Sequence, residues 1–510
     1  MKKVIYADGQ SLTIEDVVQV ARYGAQVRLA ESAKPGILES RAVVERLVEA
    51  GKPIYGINTG FGSLQNVGIQ KDDLETLQKN LIVSDAVGVG RCFDTEVSRA
   101  IMLLRVNALA KGFSGIRVEV IETFIEMLNK GVTPQIREKG SVGSSGDLCP
   151  LAHMVLVPMG LGEAEYKGKI MDGKSAMEAA GIPLITLKAK EGLALINGTC
   201  AMMGNAVLAV YDAMVLEKCA DIIASFTIDA MEGVIDAYDP RVHYARPQKG
   251  QIAVAANIRR LLEGSRLVTK QGEQRVQEAY SFRCTPQIHG GSRPAIEYVK
   301  EVIEIEINSA TDNPLVFPGE NEAIISGGNF HGEPVAIAMD TLGIAVAEFA
   351  DVSERRIERM VNPDLSRLPA FLVKNPGLND GFMVPQYAAA ALVSENKVLA
   401  HPASVDSIPT CANQEDHVSM GTIAARKARE IVKHVQTVLG IELLCAAQAA
   451  DFRGSSKLGK GSKVAYKVIR KEVTFMENDR VIYPDMDKAT EIIASKALLD
   501  AVEKAVGTLE

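Results

Sequence analysis

GSVGSSGDLCPLAH, Gly140 to His153, sets three glycines (Gly140, Gly143, Gly146) three residues apart among three serines, Ser141, Ser144 and Ser145. Glycine tolerates left-handed and crowded backbone, so such a segment can fold very tightly. A flexible glycine-serine linker would stay polar on both sides. Here Asp147 to His153 runs straight into the apolar MVLVPMGLG of residues 154–162, which a linker would not do. A phosphate loop needs a Lys after its last glycine, and a nucleophile elbow needs G-x-S-x-G. Asp147 follows Gly146 and the serines are out of register, so neither device is present. What remains is a tight Ser144-Ser145-Gly146 turn whose backbone could react with itself. Attack of the Gly146 nitrogen on the Ser144 carbonyl is eased by the missing Cβ, and loss of water from Ser145 would leave an electrophilic methylidene.

These residues resemble the prosthetic-group loop of the histidine and aromatic amino acid ammonia-lyases, in which an Ala-Ser-Gly tripeptide cyclises to 4-methylidene-imidazol-5-one. This chain carries Ser144 in the Ala position, which supplies mainly its carbonyl. The resemblance runs from Thr13 to about Pro484. It implies a mainly α fold: a long-helix bundle core with a smaller mixed N-terminal region that carries the prosthetic-group loop. The expected division is a region 1–200 with the catalytic loops, and a helix bundle 201–510 completing the active site and the oligomer core.

Composition points the same way. The 510 residues are 47% hydrophobic and 24% charged, as in an ordinary globular protein. There is no Trp and only 5% aromatics, while Ala, Leu, Ile, Val and Met abound, which favours helix over sheet. A formal charge of −8 (56 Lys and Arg against 64 Asp and Glu) without a basic block argues against nucleic acid or an anionic membrane as partner. Seven widely spaced cysteines that never form C-x-x-C read as reduced, mostly buried thiols of a cytoplasmic protein. The N-terminus meets Asp8, Glu15 and Asp16 before an export signal could form. The uncharged run Gly192 to Tyr211 is long enough to cross a bilayer, but its Asn197, Thr199, Asn205 and glycines mark it as a buried, site-bearing segment.

In chain order, Thr13-Ile14-Glu15-Asp16 is a capping-box start for a helix. Ser40 is expected to head a second helix stopped by Gly51. YGINTGFGSL (55–64) is a glycine-crowded loop that resembles the family's mobile loop, and Tyr55 occupies the place of its catalytic Tyr. Leu77 to Gly90 reads as a helix ending in a glycine-rich turn. There Ser84-Asp85-Ala86 stands where histidine ammonia-lyases carry Ser-His-Ala; Asp85 is either a pocket residue or a helix cap near Gly88. Asn197, flanked by apolar residues, must be hydrogen-bonded, as a structural bridge or as a substrate contact. Apolar residues recur at helical spacing from Ala201 to about Ala230, from Ala338 to Met360, and beyond Gly421, where a loop (454–463) and two short helices follow.

Gln277, Tyr280 and Arg283 fall three apart, which on a helix aligns them on one face, and an amide, a phenol and a guanidinium together suit an amino acid's carboxylate. INSATDNPLVF (307–317) and SGGNFHGEP (326–334) resemble segments that frame the family's site, with Phe330 as an aromatic wall. Gly381 to Gly421 matches the histidine branch: Glu415 sits where those enzymes have Glu and the aromatic lyases have Gln. Consecutive Glu415-Asp416-His417 side chains diverge, and no H-E-x-x-H or C-x-x-C occurs, so no metal is assigned.

The resemblance therefore implies a cytoplasmic ammonia-lyase, most simply L-histidine to trans-urocanate, using the prosthetic group from Ser144, Ser145 and Gly146 with no metal or nucleotide. Tyr55 would remove the β-proton, although half-ionising a phenol near pH 7 requires a shift of about three units, roughly 4 kcal/mol; helix N-termini aimed at the site would supply part of it. Arg283 would hold the carboxylate. Tyr280, Asn197 and Gln277 would surround the prosthetic group and amine, and Met383, Phe330, Glu415 and Asp85 would line the side-chain pocket. A homotetramer with sites shared between subunits is expected. The competing readings are a lyase or 2,3-aminomutase for another aromatic or imidazole-like amino acid, and a non-catalytic helical scaffold.

Overall fold

The computed structural model describes residues 3–51 and 54–510, and among these it has twenty α-helices and four small sheets. Met1 and Lys2, at the head of the N-terminal reading, lie outside these. Contacts divide the chain into two compact units. Unit 1 is assembled from Met1–Tyr211, Lys300–Asp340 and Pro402–Arg426, and unit 2 from Asp212–Val299, Thr341–His401 and Lys427–Glu510.

Unit 1 contains α1 (Ile14–Ala21), α2 (Lys34–Ala50), α3 (Leu74–Asp85), α4 (Thr95–Ala110), α5 (Val118–Lys130), α6 (Leu148–Leu156), α7 (Gly173–Ala180), α8 (Glu191–Ile196) and the start of α9 (Cys200–Ala230). The capping box is real: Thr13 Oγ1 accepts from Asp16 N at 3.1 Å and Asp16 Oδ2 from Thr13 N at 3.4 Å. The second helix starts six residues before Ser40. Pro35, with its φ already helical, occupies the first turn, and Ser40 is buried inside α2. The stop at Gly51 stands, in left-handed backbone at φ 68. The sheets are short. Val4–Ala7 pairs in parallel with Gln26–Leu29 on either side of α1, and the others are antiparallel.

The core cluster that matters for the site joins Val43 and Val44 of α2, Leu74 of α3, Ile57, Ala189 and Val316. Ile57 lies two residues after Tyr55 and is fully buried, an anchor worth about 1.5–3 kcal/mol. It ties the base of the Tyr55 loop to the rigid part of the unit. Gly192 to Tyr211, the uncharged run, is the end of α8 and the start of α9, and it is packed inside unit 1.

Unit 2 holds α10 (Pro240–Tyr244), α11 (Lys249–Leu261), α12 (Tyr280–Arg283), most of α13 (Thr285–Glu306) and of α14 (Glu333–Val361), α15 (Pro363–Ser366), α16 (Met383–Leu399), most of α17 (Gly421–Arg453), α18 (Lys460–Glu472), α19 (Tyr483–Ala494) and α20 (Ala497–Val506). The three long helices read from apolar spacing are α9, α14 and α17. Helix α17 is apolar enough to cross a membrane, yet 83% of its apolar window is buried, as in a core helix. A buried pair, Arg356 Nε to Glu442 Oε1 at 2.6 Å, is joined by Thr227 Oγ1 at 2.7 Å, so neither charge is left alone. Three helices, not two, finish the chain, because α18 already begins at Lys460 inside the expected 454–463 loop.

Gln277, Tyr280 and Arg283 do not share a helical face. Helix begins only at Tyr280, Ala279 is extended (φ −64, ψ 160), and Gln277 lies in a bend. The local cause is Glu278. Its carboxylate accepts from Val234 N at 3.1 Å and pairs with Arg275 at 3.2 Å, which holds the preceding backbone out of helix.

Candidate active site

The tripeptide is held from below by a second glycine. Gly146 has φ 73, forms a parallel bridge with Gly198, and a Cβ on it would collide with the Gly198 carbonyl. The next amide, Asp147 N, donates to Gly198 O at 2.7 Å. Asn197 Nδ2 donates to Ser145 O at 3.2 Å, while Asn197 Oδ1 is buried with no partner. An unpartnered buried acceptor is costly unless something arrives to use it. Ser145 Oγ donates to Glu415 Oε1 at 2.7 Å.

Asp147 is the hub that sequence reasoning missed. It is fully buried, accepting from Ser141 Oγ at 2.9 Å, from Met202 N in the first turn of α9 at 2.7 Å, and from Thr422 Oγ1. Burial pushes its carboxyl above the usual range against these lowering hydrogen bonds. The Met202 amide at the start of α9 therefore serves Asp147 rather than a phenolate.

Glu415 is presented by an unusual turn. Cys411, Ala412 and Asn413 are all left-handed, at φ 50, 52 and 67, each costing a non-glycine residue about 1–2 kcal/mol. The turn is closed by Thr410 N to Glu415 O at 2.9 Å, Glu415 N to Thr410 O at 3.3 Å, and Thr410 Oγ1 to Glu415 Oε2 at 2.6 Å. Asp85 ends α3 and, with Ser144, Gly146, Cys149 and Thr410, lines a cavity of about 240 Å³. It does not cap Gly88, whose amide donates to His153 Nε2 at 3.0 Å. Burial raises the Asp85 carboxyl above its usual range; a hydrogen bond from Ser84 opposes this and the charge of Glu415 adds to it.

Tyr55 is half-buried at the head of its loop, and its Oη accepts from Gly62 N at 3.3 Å. Asn58 Oδ1 accepts from Ile54 N at 2.7 Å and closes the loop's base. Burial raises the phenol's pKa, the Gly62 amide lowers it, and Cys411 and Glu415 raise it further. The balance is opposite to what proton abstraction needs. Phe330 is half-buried in the turn before α14. Just after it, His331, Glu333 and His417 bring three possible ligand atoms within 4.8 Å of one another. The two imidazoles engage each other at 3.4 Å. Spacing rules along the sequence cannot see such a trio.

The structure thus brings Tyr55, Asp85, Ser144, Ser145, Gly146, Asn197, Phe330 and Glu415 into unit 1, whereas Gln277, Tyr280, Arg283 and Met383 belong to unit 2. Tyr280 is 69% exposed, and the Arg283 guanidinium lies 4.6 Å above its ring. Arg283 Nε donates to Glu278 O at 2.9 Å, leaving the terminal nitrogens for another acceptor. Gln277 and Arg283 line a cavity of about 340 Å³ with Asp236, Gln271, Glu278 and Gln287. Met383 is the first, half-buried residue of α16.

The chain is similar to known proteins along its whole length. Histidine ammonia-lyase 2 of Fusobacterium nucleatum is 67% identical over the full length of both chains. The solved histidine ammonia-lyase of Trypanosoma cruzi is 42% identical, with TM-score 0.91 over 98% of this chain and 95% of that one. A tyrosine aminomutase structure from Streptomyces globisporus is 36% identical, with TM-score 0.94 over 99% of each chain. The sequence profile described as Aromatic amino acid lyase matches residues 12–471, and the chain belongs to that family.

Proposed function

We propose that this protein is a cytoplasmic histidine ammonia-lyase, converting L-histidine to trans-urocanate and ammonia. The observation that carries the reading is the pinned tripeptide: Gly146 against Gly198, the Ser145 carbonyl under Asn197 and the Ser145 hydroxyl on Glu415. The crowding that only glycine survives at Gly146, and the orphaned Asn197 Oδ1, both fit a methylidene-imidazolone made from Ser144, Ser145 and Gly146. When formed, that group supplies an electrophilic carbon that turns the substrate's amine into a leaving group.

The chain's own residues do the rest. Loss of the Ser145 hydroxyl frees Glu415 Oε1, and the same carboxylate then accepts from the imidazole N–H. Asp85 offers a second acceptor from the cavity it lines with Ser144 and Thr410, and a substrate imidazolium offsets the burial, and the Glu415 charge, that raise Asp85. Asn197 Oδ1 accepts a hydrogen bond from the amine. Tyr55 removes the β-proton. The Gly62 amide favours its phenolate directly, and the substrate's cationic groups offset the desolvation that raises it. Arg283 binds the substrate carboxylate bidentately, with Gln277 and Tyr280 beside it, and Phe330 and Met383 enclose the side chain. The expected assembly is a homotetramer with sites shared between subunits.

An amino acid panel assayed for ammonia and for conjugated product tests the reading. Histidine giving urocanate supports it. A β-amino acid product would instead make the protein an aminomutase, and no turnover with any substrate would make it a scaffold.

A further inference from the structure

The amides of Gly62 and Ser63 are consecutive in the Tyr55 loop and serve two different acceptors. Gly62 N donates to Tyr55 Oη at 3.3 Å, and Ser63 N donates to Cys411 Sγ at 3.3 Å. One residue separates the donors, so an anchor on the second restricts the rotation that would carry the first away from the phenol. Gly62 is itself left-handed at φ 54, and a Cβ there would run into the Cys411 sulfur. Cys411 in turn is the first of the three left-handed residues of the 410–415 turn, whose closing bonds run between Thr410 and Glu415. The sulfur therefore bridges the loop that carries the phenol and the turn that carries the acidic pocket residue.

We infer that Cys411 is a positioning residue for the proton-abstracting group: its sulfur aims the Gly62 amide at the Tyr55 oxygen and fixes the Tyr55 loop to the turn that presents Glu415. The inference rests on Tyr55 acting as the base. A hydrogen bond to an ionised oxygen is markedly stronger than one to a neutral oxygen, so a well-aimed Gly62 amide favours phenolate over phenol. The titratable side chains whose charge reaches Tyr55 are Cys411 and Glu415, and both oppose its ionisation when charged.

The test compares wild type, Cys411→Ala, Cys411→Ser and Tyr55→Phe as full-length enzymes, with kcat/KM for L-histidine measured across pH and normalised to the prosthetic group's ultraviolet absorbance. Substrate titration is common to all and cancels in the ratio to wild type. Removing the sulfur should raise the pKa of the base, so the acid limb of the Cys411→Ala profile should move to higher pH by about half a unit. That corresponds to about a threefold loss on the acid side. Cys411→Ser keeps an acceptor and should recover most of the shift, with an unchanged melting temperature in both variants. A Cys411→Ala limb that superimposes on wild type, or a Ser variant shifted as far as Ala, overturns the inference. If Tyr55→Phe keeps the acid limb and near-native turnover, the base assignment itself falls, whatever Cys411 does. If Tyr55→Phe is inactive while Cys411→Ala is unshifted, only the role of Cys411 falls.

Discussion

Ser145 Oγ donates a hydrogen bond to Glu415 Oε1 at 2.7 Å, across 270 positions of sequence. Under the proposed function, the hydroxyl that would leave is thus held by the side chain assigned to the substrate. Ser145→Ala keeps the carbonyl that Asn197 binds but removes the leaving group. It should give a folded protein with no lyase activity and no prosthetic-group absorbance. Borohydride should inactivate wild type and have nothing to act on in the variant. Full activity in Ser145→Ala would remove the basis of the mechanism.

Tyr55→Phe keeps the ring and deletes only the oxygen that Gly62 N contacts. A general base contributes about 10²–10⁴-fold, so kcat should fall at least a hundredfold while prosthetic-group absorbance stays. Near-native turnover would make Tyr55 a packing residue.

Asp85 lines the cavity beside Ser144 and Thr410 and feels the charge of Glu415; under the proposed function both carboxyls serve the substrate side chain, and an ionised carboxylate can only accept hydrogen bonds. A phenyl ring would leave both desolvated and unpaired. Wild-type kcat/KM should therefore rank histidine above tyrosine and phenylalanine. Asp85→Asn should lower the histidine value and narrow the gap, and Asp85→His should move kinetics toward enzymes with the usual Ser-His-Ala. Identical values for all three substrates in wild type and both variants would place Asp85 outside the pocket.

Unit 2 carries a buried titratable pair. His289 Nδ1 lies 2.8 Å from Asp221 Oδ1, and Arg293 lies 2.7 Å from Asp221 Oδ2. Burial lowers the His289 pKa below its usual value near 6.5, against the Asp221 charge that raises it. The folded protein then holds fewer protons than the unfolded chain, so this stability is present above about pH 6.5 and is lost as pH falls, by at most about 1.4 kcal/mol per unit. Burial alone would raise Asp221, but Arg293 and His289 outweigh it and hold the carboxyl below its usual range. Its contribution is lost only further down, from about pH 3.9. Melting temperature should drop between pH 7.5 and 5.5, and His289→Gln should flatten that drop. An equal drop in both proteins would acquit His289.

Periodicity reached the long helices α9, α14 and α17, because neither strand nor loop sustains a 3.6-residue apolar pattern over thirty-odd residues. The capping box at Thr13 was legible because both partners are local. Ser40 misled for the opposite reason: a good cap residue was overruled by Pro35 and by its own burial. The loops of Tyr55 and of Ser144 to Gly146 were readable through resemblance. Their supports were not. Asp147 finds Met202 and Thr422 55 and 275 residues away, and the Ser63 amide that sets Cys411 apart from the other thiols is 348 residues from it. The alignment of Gln277 with Tyr280 and Arg283 failed because spacing presumes a helix, and Glu278 had a stronger claim on the backbone. The direction of the Tyr55 shift depends on burial, which no local motif encodes.

Unit 1 draws its three pieces from a chain interrupted twice by unit 2, and this sets a clock. At synthesis rates of roughly 5–20 residues per second, the 270 positions between Ser145 and Glu415 take roughly 13 to 54 s to translate. For that interval the nascent tripeptide is an ordinary Ser-Ser-Gly, with neither Glu415 on its hydroxyl nor Thr422 on Asp147. Under the proposed function, formation of the electrophile would therefore be a late, post-translational event, waiting on the last tenth or so of unit 1 to leave the ribosome. A ribosome-stalled chain ending before residue 402 should carry no methylidene, however long it waits.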